Sequence, residues 1–137
     1  RKSGGEYGAA TGRPRRVGPF DAVASAYGLK CQNADKIALT KLDVLSRMDE
    51  IPVITAYKLN DELITEFDPL DDLDSMTPVI QTLPGWNTDI SKCRKYEELP
   101  ENARKYIETL EHLLNHEIQF ISVGAERNQY LTKGEWL

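Results

Sequence analysis

The chain has 137 residues, of which 40% are hydrophobic and 28% are charged, and its formal net charge is −5. These proportions are typical of one globular domain or of part of a larger one, and they exclude wholesale disorder and a disulfide scaffold. The acidic balance argues against a general nucleic-acid-binding protein, and no apolar run approaches the ~18 residues that span a bilayer.

Residues 1–18 are predicted to form a loop, because glycine and proline recur too often for a helix or a central strand. Pro19 is predicted to occupy the first turn of a helix that ends between Gly28 and Gln32. The chain starts with Arg1 instead of Met and opens on a loop with functional character. We therefore expect a C-terminal portion of a longer protein.

Short apolar runs between turn-forming residues predict strands. They lie at residues 36–40, 52–59, 63–67, 78–83 and 118–123. Asn60-Asp61 suits a tight hairpin between two of them. One helical turn is expected over residues 44–48, and the acidic residues 68–75 are expected at the surface.

The clearest predicted element is a helix over residues 100–115. Its apolar side chains recur at steps of three and four and form one stripe: Ala103, Tyr106, Ile107, Leu110, Leu113 and Leu114. Helices of this length mixed with strands indicate an α/β protein. Trp86 is interpreted as a packing residue.

The densest group of chemically useful residues is Thr11-Gly12-Arg13-Pro14-Arg15-Arg16. Arginine presents a planar fork that pairs with carboxylate or phosphate through two bonds. Gly12 allows close backbone approach, and Thr11 adds a hydroxyl. The loop therefore has the composition of an anion-binding loop, although a solvated basic loop has the same pattern.

Thr40-Lys41-Leu42-Asp43 follows a predicted strand, and ligands of open α/β sheets bind beyond the carboxyl ends of strands. The stem of Lys41 can lie along a purine ring, while the Asp43 carboxylate can accept from N–H groups such as those of guanine. An ordinary strand end with two solvated charges is the alternative. Ser122-Val123-Gly124 ends the last strand and offers backbone groups in the same way.

The remaining candidate residues give weaker support for a function. His112 and His116 share a helix face, but no third ligand is apparent, so a solvated face is predicted. Cys31 and Cys93 form no C-x-x-C pair, which indicates reduced thiols in a cytosolic protein. The sequence contains no P-loop, no G-x-S-x-G motif and no convincing acid–base pair.

Taken in chain order, these segments resemble the adenylosuccinate synthetase family. Residues 8–16 and 20–24 resemble its arginine loop and the helix that follows, and Leu39–Leu45 resembles its guanine-recognition segment. Further landmarks lie at residues 83–86, 99–103 and 122–124. The likeness covers nearly the whole chain.

The resemblance implies GTP-dependent ligation of IMP and L-aspartate to adenylosuccinate in AMP biosynthesis, with Mg²⁺, in a cytoplasmic homodimer. It implies a fold related to P-loop proteins, a mixed sheet with flanking helices. Residues 1–137 would be a C-terminal portion of that domain and incomplete as a fragment. The catalytic and metal-binding groups would lie in the preceding portion, so neither is expected here. The isolated chain is expected to be inactive.

The resemblance also implies site residues. Aspartate would bind to Ala9, Ala10, Thr11, Gly12, Arg13, Pro14 and Arg15, and Arg13 would also approach IMP. GTP would bind to Arg15, Lys41, Leu42, Asp43, Ser122, Val123 and Gly124. Ala10 and Val123 replace threonines that are usual in the family, so each loses a hydroxyl.

Two other functions fit parts of the pattern. One is a non-catalytic guanine-nucleotide or anion-binding module, which needs no P-loop. The other is a nucleic-acid-binding protein that uses Arg13, Arg15 and Arg16, against which the net charge counts.

Overall fold

A computed structural model describes residues 2–134, which form two β-sheets and two α-helices. The strands are β1 Phe20–Asp21, β2 Ile37–Leu39, β3 Glu50–Leu59, β4 Glu62–Ile64, β5 Thr77–Pro84, β6 Ile118–Ser122 and β7 Tyr130–Thr132. The helices are α1 Ala22–Gln32 and α2 Glu101–Leu114. The mixture of helices and strands confirms the predicted α/β class.

The first sheet is centred on β3. The long strand β5 pairs antiparallel with most of β3. Strands β1 and β4 pair with the opposite edge of β3. Asn60 and Asp61 both have positive φ, at 49° and 68°. That conformation gives a two-residue turn the twist that a hairpin requires, so the predicted turn between β3 and β4 is confirmed.

The second sheet places the carboxyl ends of two strands side by side. Strands β2 and β6 are parallel, with Leu39 opposite Ile121, and β7 adds an antiparallel strand on the far side of β6. The carboxyl ends of parallel strands meet at one edge. The segments after Leu39 and after Ile121 are therefore neighbours, although they are far apart in the sequence.

Helix α2 supplies much of the core. Five of its six predicted stripe positions are buried, and the sixth, Leu113, is half-buried. Pro100 lies just before the helix and not in its first turn. Asn115 ends it with a left-handed backbone, φ 52°, which turns the chain toward β6.

Helix α1 differs from the prediction at its start. The expectation that Pro19 lies in its first turn is wrong, because Phe20 and Asp21 pair with β3 as a short strand. The Asp21 carboxylate then caps the helix by accepting from Ala24 N at 2.9 Å. The helix continues through Gly28 to Gln32.

The loop that follows β5 is fixed by close packing. The Trp86 indole is buried, contacts the ring of Tyr106 and donates to Ser46 Oγ at 3.3 Å, which confirms its packing role. A Cβ on Gly85 would lie 1.7 Å from Met48 O, so no other residue fits there. Neither helix of the described residues combines the length and apolarity needed to cross a membrane.

Candidate functional site

The arginine loop, residues 8–16, projects from a short ribbon. Tyr7 and Pro14 pair as an antiparallel bridge, Gly8 N donates to Arg13 O at 2.8 Å, and Arg15 N donates to Glu6 O at 3.0 Å. Residues 8–13 form the closed tip of this ribbon. Because backbone bonds define the ribbon, the side chains on the tip remain available for a ligand.

The tip itself is built by three small or polar residues. Gly12 N donates to Gly8 O at 2.8 Å, and Gly12 has φ 65°, a conformation that favours glycine. The Thr11 hydroxyl accepts from Arg13 N at 3.3 Å. Ala9 and Ala10 are exposed on the tip and can offer a ligand only backbone hydrogen bonds.

The two arginines assigned to ligands differ in what they contact. Arg15 Nη1 donates to Glu6 Oε2 at 3.3 Å. The Arg13 guanidinium is exposed and makes no hydrogen bond or ion pair with any other residue of 2–134. One fork is therefore already fixed by the protein, while the other is available to a carboxylate.

Lys41 is held at both ends. Its backbone has φ 61°, which is costly for a residue with a side chain, and its N–H donates to Ser122 Oγ at 2.8 Å. Its ammonium donates to Gly4 O at 3.0 Å and to the Glu6 carboxylate. The aliphatic stem of Lys41 is therefore stretched between the edge of the second sheet and the base of the arginine loop.

Glu6 is a residue that the sequence analysis missed. Each of its carboxylate oxygens contacts a different cation, Oε2 with Arg15 and Oε1 with Lys41. The hydrogen bond from Lys41 lowers the pKa of Glu6 below its usual value, with the Lys41 and Arg15 charges acting in the same direction and partial desolvation opposing them. An acid inside a basic loop was the available signal, but its partner Lys41 is 35 positions away.

Asp43 faces an open cleft of about 540 Å³, which is within the range of small-molecule sites. Arg47, Asn87 and Asp89 also line this cleft. Asp43 Oδ1 is buried and has no hydrogen-bond partner among residues 2–134. A buried acceptor without a donor is rare in folded proteins, and rotation of the carboxylate toward the cleft would let it accept from the N–H groups of a ligand.

Leu42, between the two charged residues, is almost completely buried in the core. Its side chain anchors the segment, so only its backbone could meet a ligand. Lys41 and Asp43 are therefore attached on either side of a fixed point.

The segment Ser122–Gly124 reaches the same edge. The Ser122 hydroxyl contacts the Lys41 backbone, whereas the Val123 side chain is fully buried and the Val123 N–H donates to Gln129 O at 2.9 Å. A Cβ on Gly124 would lie 2.2 Å from Gln129 Oε1. A backbone contact from this segment to a base would therefore use groups other than the Val123 N–H.

Gln129 is a second residue that the sequence analysis missed. Its side chain accepts from Glu126 N at 2.9 Å and donates to Ser91 O at 3.3 Å. It fastens the turn after β6 to the segment that lines the Asp43 cleft. A glutamine in a predicted loop gives no signal of such a role.

The two histidines lie elsewhere. His112 is exposed on α2, and His116 Nδ1 lies 2.9 Å from Leu114 O. Within residues 2–134, no group of three or more His, Cys, Asp or Glu side chains is placed to hold a metal ion. Chemically, the described site offers the uncommitted forks of Arg13 and Arg16, two fixed cations and an unpaired carboxylate oxygen, which suits an anion and a purine base.

Comparisons with known proteins agree with this chemistry. The family model described as adenylosuccinate synthetase matches residues 1–131. The chain is 46% identical over 130 residues to the adenylosuccinate synthetase of Desulforamulus reducens, covering 94% of the chain and 30% of that protein. It is 43% identical to that of Staphylococcus saprophyticus, over 99% of the chain and 32% of the relative. The chain thus spans about a third of the length of the curated relatives it matches.

A solved structure shows the same fold. The fully ligated adenylosuccinate synthetase from Plasmodium falciparum superposes with a TM-score of 0.89 and 40% sequence identity, over 97% of this chain and 32% of that one. This match confirms the expected α/β fold, related to P-loop proteins.

Proposed function

The chain belongs to the adenylosuccinate synthetase family, and we propose that it forms the aspartate loop and the guanine pocket of a GTP-dependent ligase. In the complete protein the reaction would join IMP and L-aspartate and release adenylosuccinate, GDP and phosphate. Residues 2–134 would bind and orient the substrates. We assign no phosphate-transfer step to them.

The observation that carries the proposal is the hydrogen bond from Lys41 N to Ser122 Oγ, at 2.8 Å. It joins two segments that are 81 positions apart, each with the composition of a guanine site. The buried Asp43 Oδ1 lies next to this junction without a donor. Guanine N1–H and N2–H would satisfy a carboxylate at this position, and adenine offers no such pair of donors.

The aspartate loop is supported by the contrast between its arginines. Aspartate brings two carboxylates, and the exposed Arg13 fork, next to Gly12 at the tip, is an uncommitted cation suited to bind one of them. The tip residues Ala9–Gly12 would contribute backbone groups and the Thr11 hydroxyl. Arg13 would also approach IMP. Arg15, next to Glu6 and Lys41, would contact aspartate and would also serve GTP together with Leu42, Val123 and Gly124.

Magnesium, dimerisation and a cytoplasmic location are part of the same proposal. The described residues bring together no metal-binding cluster, so they do not fit a Mg²⁺ site of their own. The ion would be held by the nucleotide and by groups outside residues 2–134. No step is therefore assigned to this chain through the metal.

The direct test is an assay of the full-length gene product with IMP, aspartate, GTP and magnesium. Formation of adenylosuccinate that stops when any one substrate is omitted supports the ligase. A full-length protein that binds guanine nucleotide but never forms adenylosuccinate would instead favour the non-catalytic binding module.

Asp43→Asn tests the guanine assignment within that assay. The amide offers one acceptor oxygen, and its NH₂ would face the guanine donors. A charge-assisted hydrogen bond contributes about 1.5–3 kcal/mol, so the KM for GTP should rise about ten-fold or more. Xanthosine triphosphate, which has an acceptor at position 2, should become a better substrate relative to GTP. An unchanged GTP/XTP preference would show that Asp43 does not read the base.

A further inference from the structure

We propose that Glu6 is a positioning residue for the guanine nucleotide, because its carboxylate fixes the side chains of Lys41 and Arg15 before the nucleotide binds. The inference rests on the proposed function, since it deepens the role of the same site. Glu6 itself does not need to touch the nucleotide. It acts through the two cations that do.

The geometry gives each oxygen of Glu6 a separate task. Oε2 accepts from Arg15 Nη1, and Oε1 accepts from Lys41 Nζ. The Glu6 side chain is 21% exposed, whereas those of Arg15 and Lys41 are 59% and 53% exposed. The Glu6 carboxylate is thus the most shielded of the three charged groups, and the Arg15 and Lys41 side chains remain accessible to a ligand.

The consequence for Lys41 is a change in which part of it meets the ligand. Its ammonium is already bound by Glu6 and by Gly4 O, and its N–H is bound by Ser122 Oγ. With both ends fixed, the methylene stem has one path and presents a fixed apolar surface beside Asp43. A purine ring that packs on this surface loses less conformational entropy than one that must first order a lysine.

The consequence for Arg15 concerns its direction. Arginine loses considerable rotamer freedom when it is fixed, and the Glu6 contact removes part of that freedom before binding. Arg13, only two residues away, has no such contact among residues 2–134. Glu6 therefore acts through Arg15 and Lys41 and leaves the proposed contact of Arg13 with aspartate independent.

A purely structural role for Glu6 predicts something else. Arg15 N also donates to the Glu6 backbone oxygen, and Tyr7 pairs with Pro14, so the ribbon has bonds that do not involve the carboxylate. If the side chain only braced the ribbon, its loss would loosen the whole loop. Binding of aspartate, IMP and GTP would then weaken together.

The test is steady-state kinetics of Glu6→Gln in the full-length gene product. The amide keeps the shape but loses the charge, so the KM for GTP should rise by roughly ten-fold. The KM for IMP should change by less than about two-fold, the KM for aspartate should rise by less than that for GTP because Arg13 is unaffected, and kcat should be nearly constant. Glu101→Gln is the matched control, because Glu101 forms an exposed ion pair with Lys105 on α2. All of its kinetic constants should equal those of the wild type.

Lys41→Met provides a second route to the same answer, because methionine keeps an unbranched apolar side chain without the ammonium. If Glu6 acts largely through that ammonium, the double variant Glu6→Gln/Lys41→Met should raise the KM for GTP by less than the product of the single effects. Glu6→Asp, which keeps the charge but shortens the reach, should fall between wild type and Glu6→Gln. Thermal midpoints of all variants show that folding is intact.

The outcomes separate the two proposals. A wild-type gene product with no ligase activity would overturn the proposed function. An active wild type in which Glu6→Gln leaves the KM for GTP unchanged, or raises all three KM values alike, would overturn the Glu6 inference alone. Fully multiplicative effects in the double variant would show that Glu6 does not act through Lys41.

Discussion

The arginine loop and the platform beneath it are stabilised in opposite ways. In the loop, residues 8–16, nearly every side chain is exposed, and the conformation depends on backbone hydrogen bonds, while the Glu6 carboxylate beneath it fixes Arg15 and Lys41. The platform, made of the two sheets and α2, which share one core, has Ile107, Ile118 and Ile121 completely buried. Burial of apolar side chains is the dominant stabilising contribution in such a core. The residues proposed to bind ligands are thus separate from those that stabilise the fold. A substitution should therefore be able to weaken ligand binding without lowering stability, and the reverse.

The two regions meet at the edge of the second sheet. Ser122 ends a buried strand, and Lys41 follows another, so the platform fixes the position at which the loop's base is attached. Asp43 lies beside that attachment. Changes on the platform side should therefore affect folding, changes on the loop side should affect KM, and only changes at the junction should affect both.

The largest expected effect is on the platform side, at Gly85. A Cβ there would lie 1.7 Å from Met48 O and 2.7 Å from Met48 C, which are backbone atoms that cannot rotate away. Gly85 N and O are also both bonded, to Asp49 O and to the Asn102 side chain. Gly85→Ala should lower the free energy of unfolding by about 4 kcal/mol or more. Denaturant unfolding of the full-length gene product measures this.

Gly28→Ala is the matched control for that variant. Gly28 lies within α1 and a Cβ there would contact nothing within 4 Å, so alanine should stabilise the helix by about 0.5–1 kcal/mol. Equal unfolding midpoints for Gly85→Ala and wild type would mean that the turn after β5 is not closely packed.

The next effect is on the loop side. Arg13→Leu keeps part of the stem volume and removes the fork, and truncating one partner of a buried charge pair costs about 2–5 kcal/mol. The KM for aspartate should therefore rise by roughly thirty-fold to several thousand-fold. Arg15→Leu should chiefly raise the KM for GTP, and Arg16→Leu should change little. The unfolding midpoint should be unaffected in all three, which is the converse of Gly85→Ala.

Steady-state kinetics with each substrate varied in turn tests this pattern. If the three variants weaken aspartate, IMP and GTP equally, the loop is only a generally basic surface, and the separate assignments of Arg13 and Arg15 are wrong.

The platform was largely predictable from the sequence because its signals are local. The stripe from Ala103 to Leu114 recurs at helical spacing, and Asn60-Asp61 is a turn whose residue types tolerate positive φ. By contrast, β7 was not predicted, since Tyr130–Thr132 is a three-residue strand stabilised by its pairing with β6. The strand predicted over residues 63–67 is also shorter, and the helical turn expected over residues 44–48 lies at Leu42–Leu45.

The candidate site was predictable in its segments but not in its connections. The strand-end rule indicates that residues 41–43 and 122–124 are neighbours. The double contact of Glu6 and the hydrogen bond from Gln129 to Ser91 depend on distant partners, 35 positions apart for Glu6 and Lys41 and 38 positions apart for Gln129 and Ser91. No periodicity or short motif encodes such pairs, and they require the three-dimensional structure.

A smaller effect is expected where the platform itself contains an ion pair. Glu111 on α2 accepts from Ile118 N at 2.9 Å and from Lys133 Nζ at 2.7 Å, and its side chain is only 14% exposed. Glu111→Gln should lower the free energy of unfolding by about 1–3 kcal/mol, because a shielded charge-assisted bond is lost. The KM values should not change. Glu101→Gln, at an exposed pair, should leave both quantities within error, and a comparable loss there would indicate a general charge effect.

The smallest expected effect is the response of the loop to acid. The pKa of Glu6 in the folded protein is lowered from its ordinary value of 4.5, chiefly by the hydrogen bond from Lys41. A lowered folded pKa means that the stabilisation is fully present above the ordinary value and is lost as pH falls through the folded one.

Protonated Glu6 no longer attracts Arg15 and Lys41, both of which remain charged in acid. Below about pH 4.5, the Arg15 and Lys41 side chains should lose order, measured by NMR relaxation of their side-chain nitrogens, before the α2 amides lose protection from hydrogen exchange. Asp89 and Glu98 also have lowered pKa values, caused mainly by backbone hydrogen bonds from Ser91 and Arg94 respectively, so they are the other carboxylates from which an acid response could arise. Glu6→Gln separates these contributions, because it should abolish the early step in the loop alone. An early step that persists in Glu6→Gln would assign the acid response to those other carboxylates and not to the Glu6 contact.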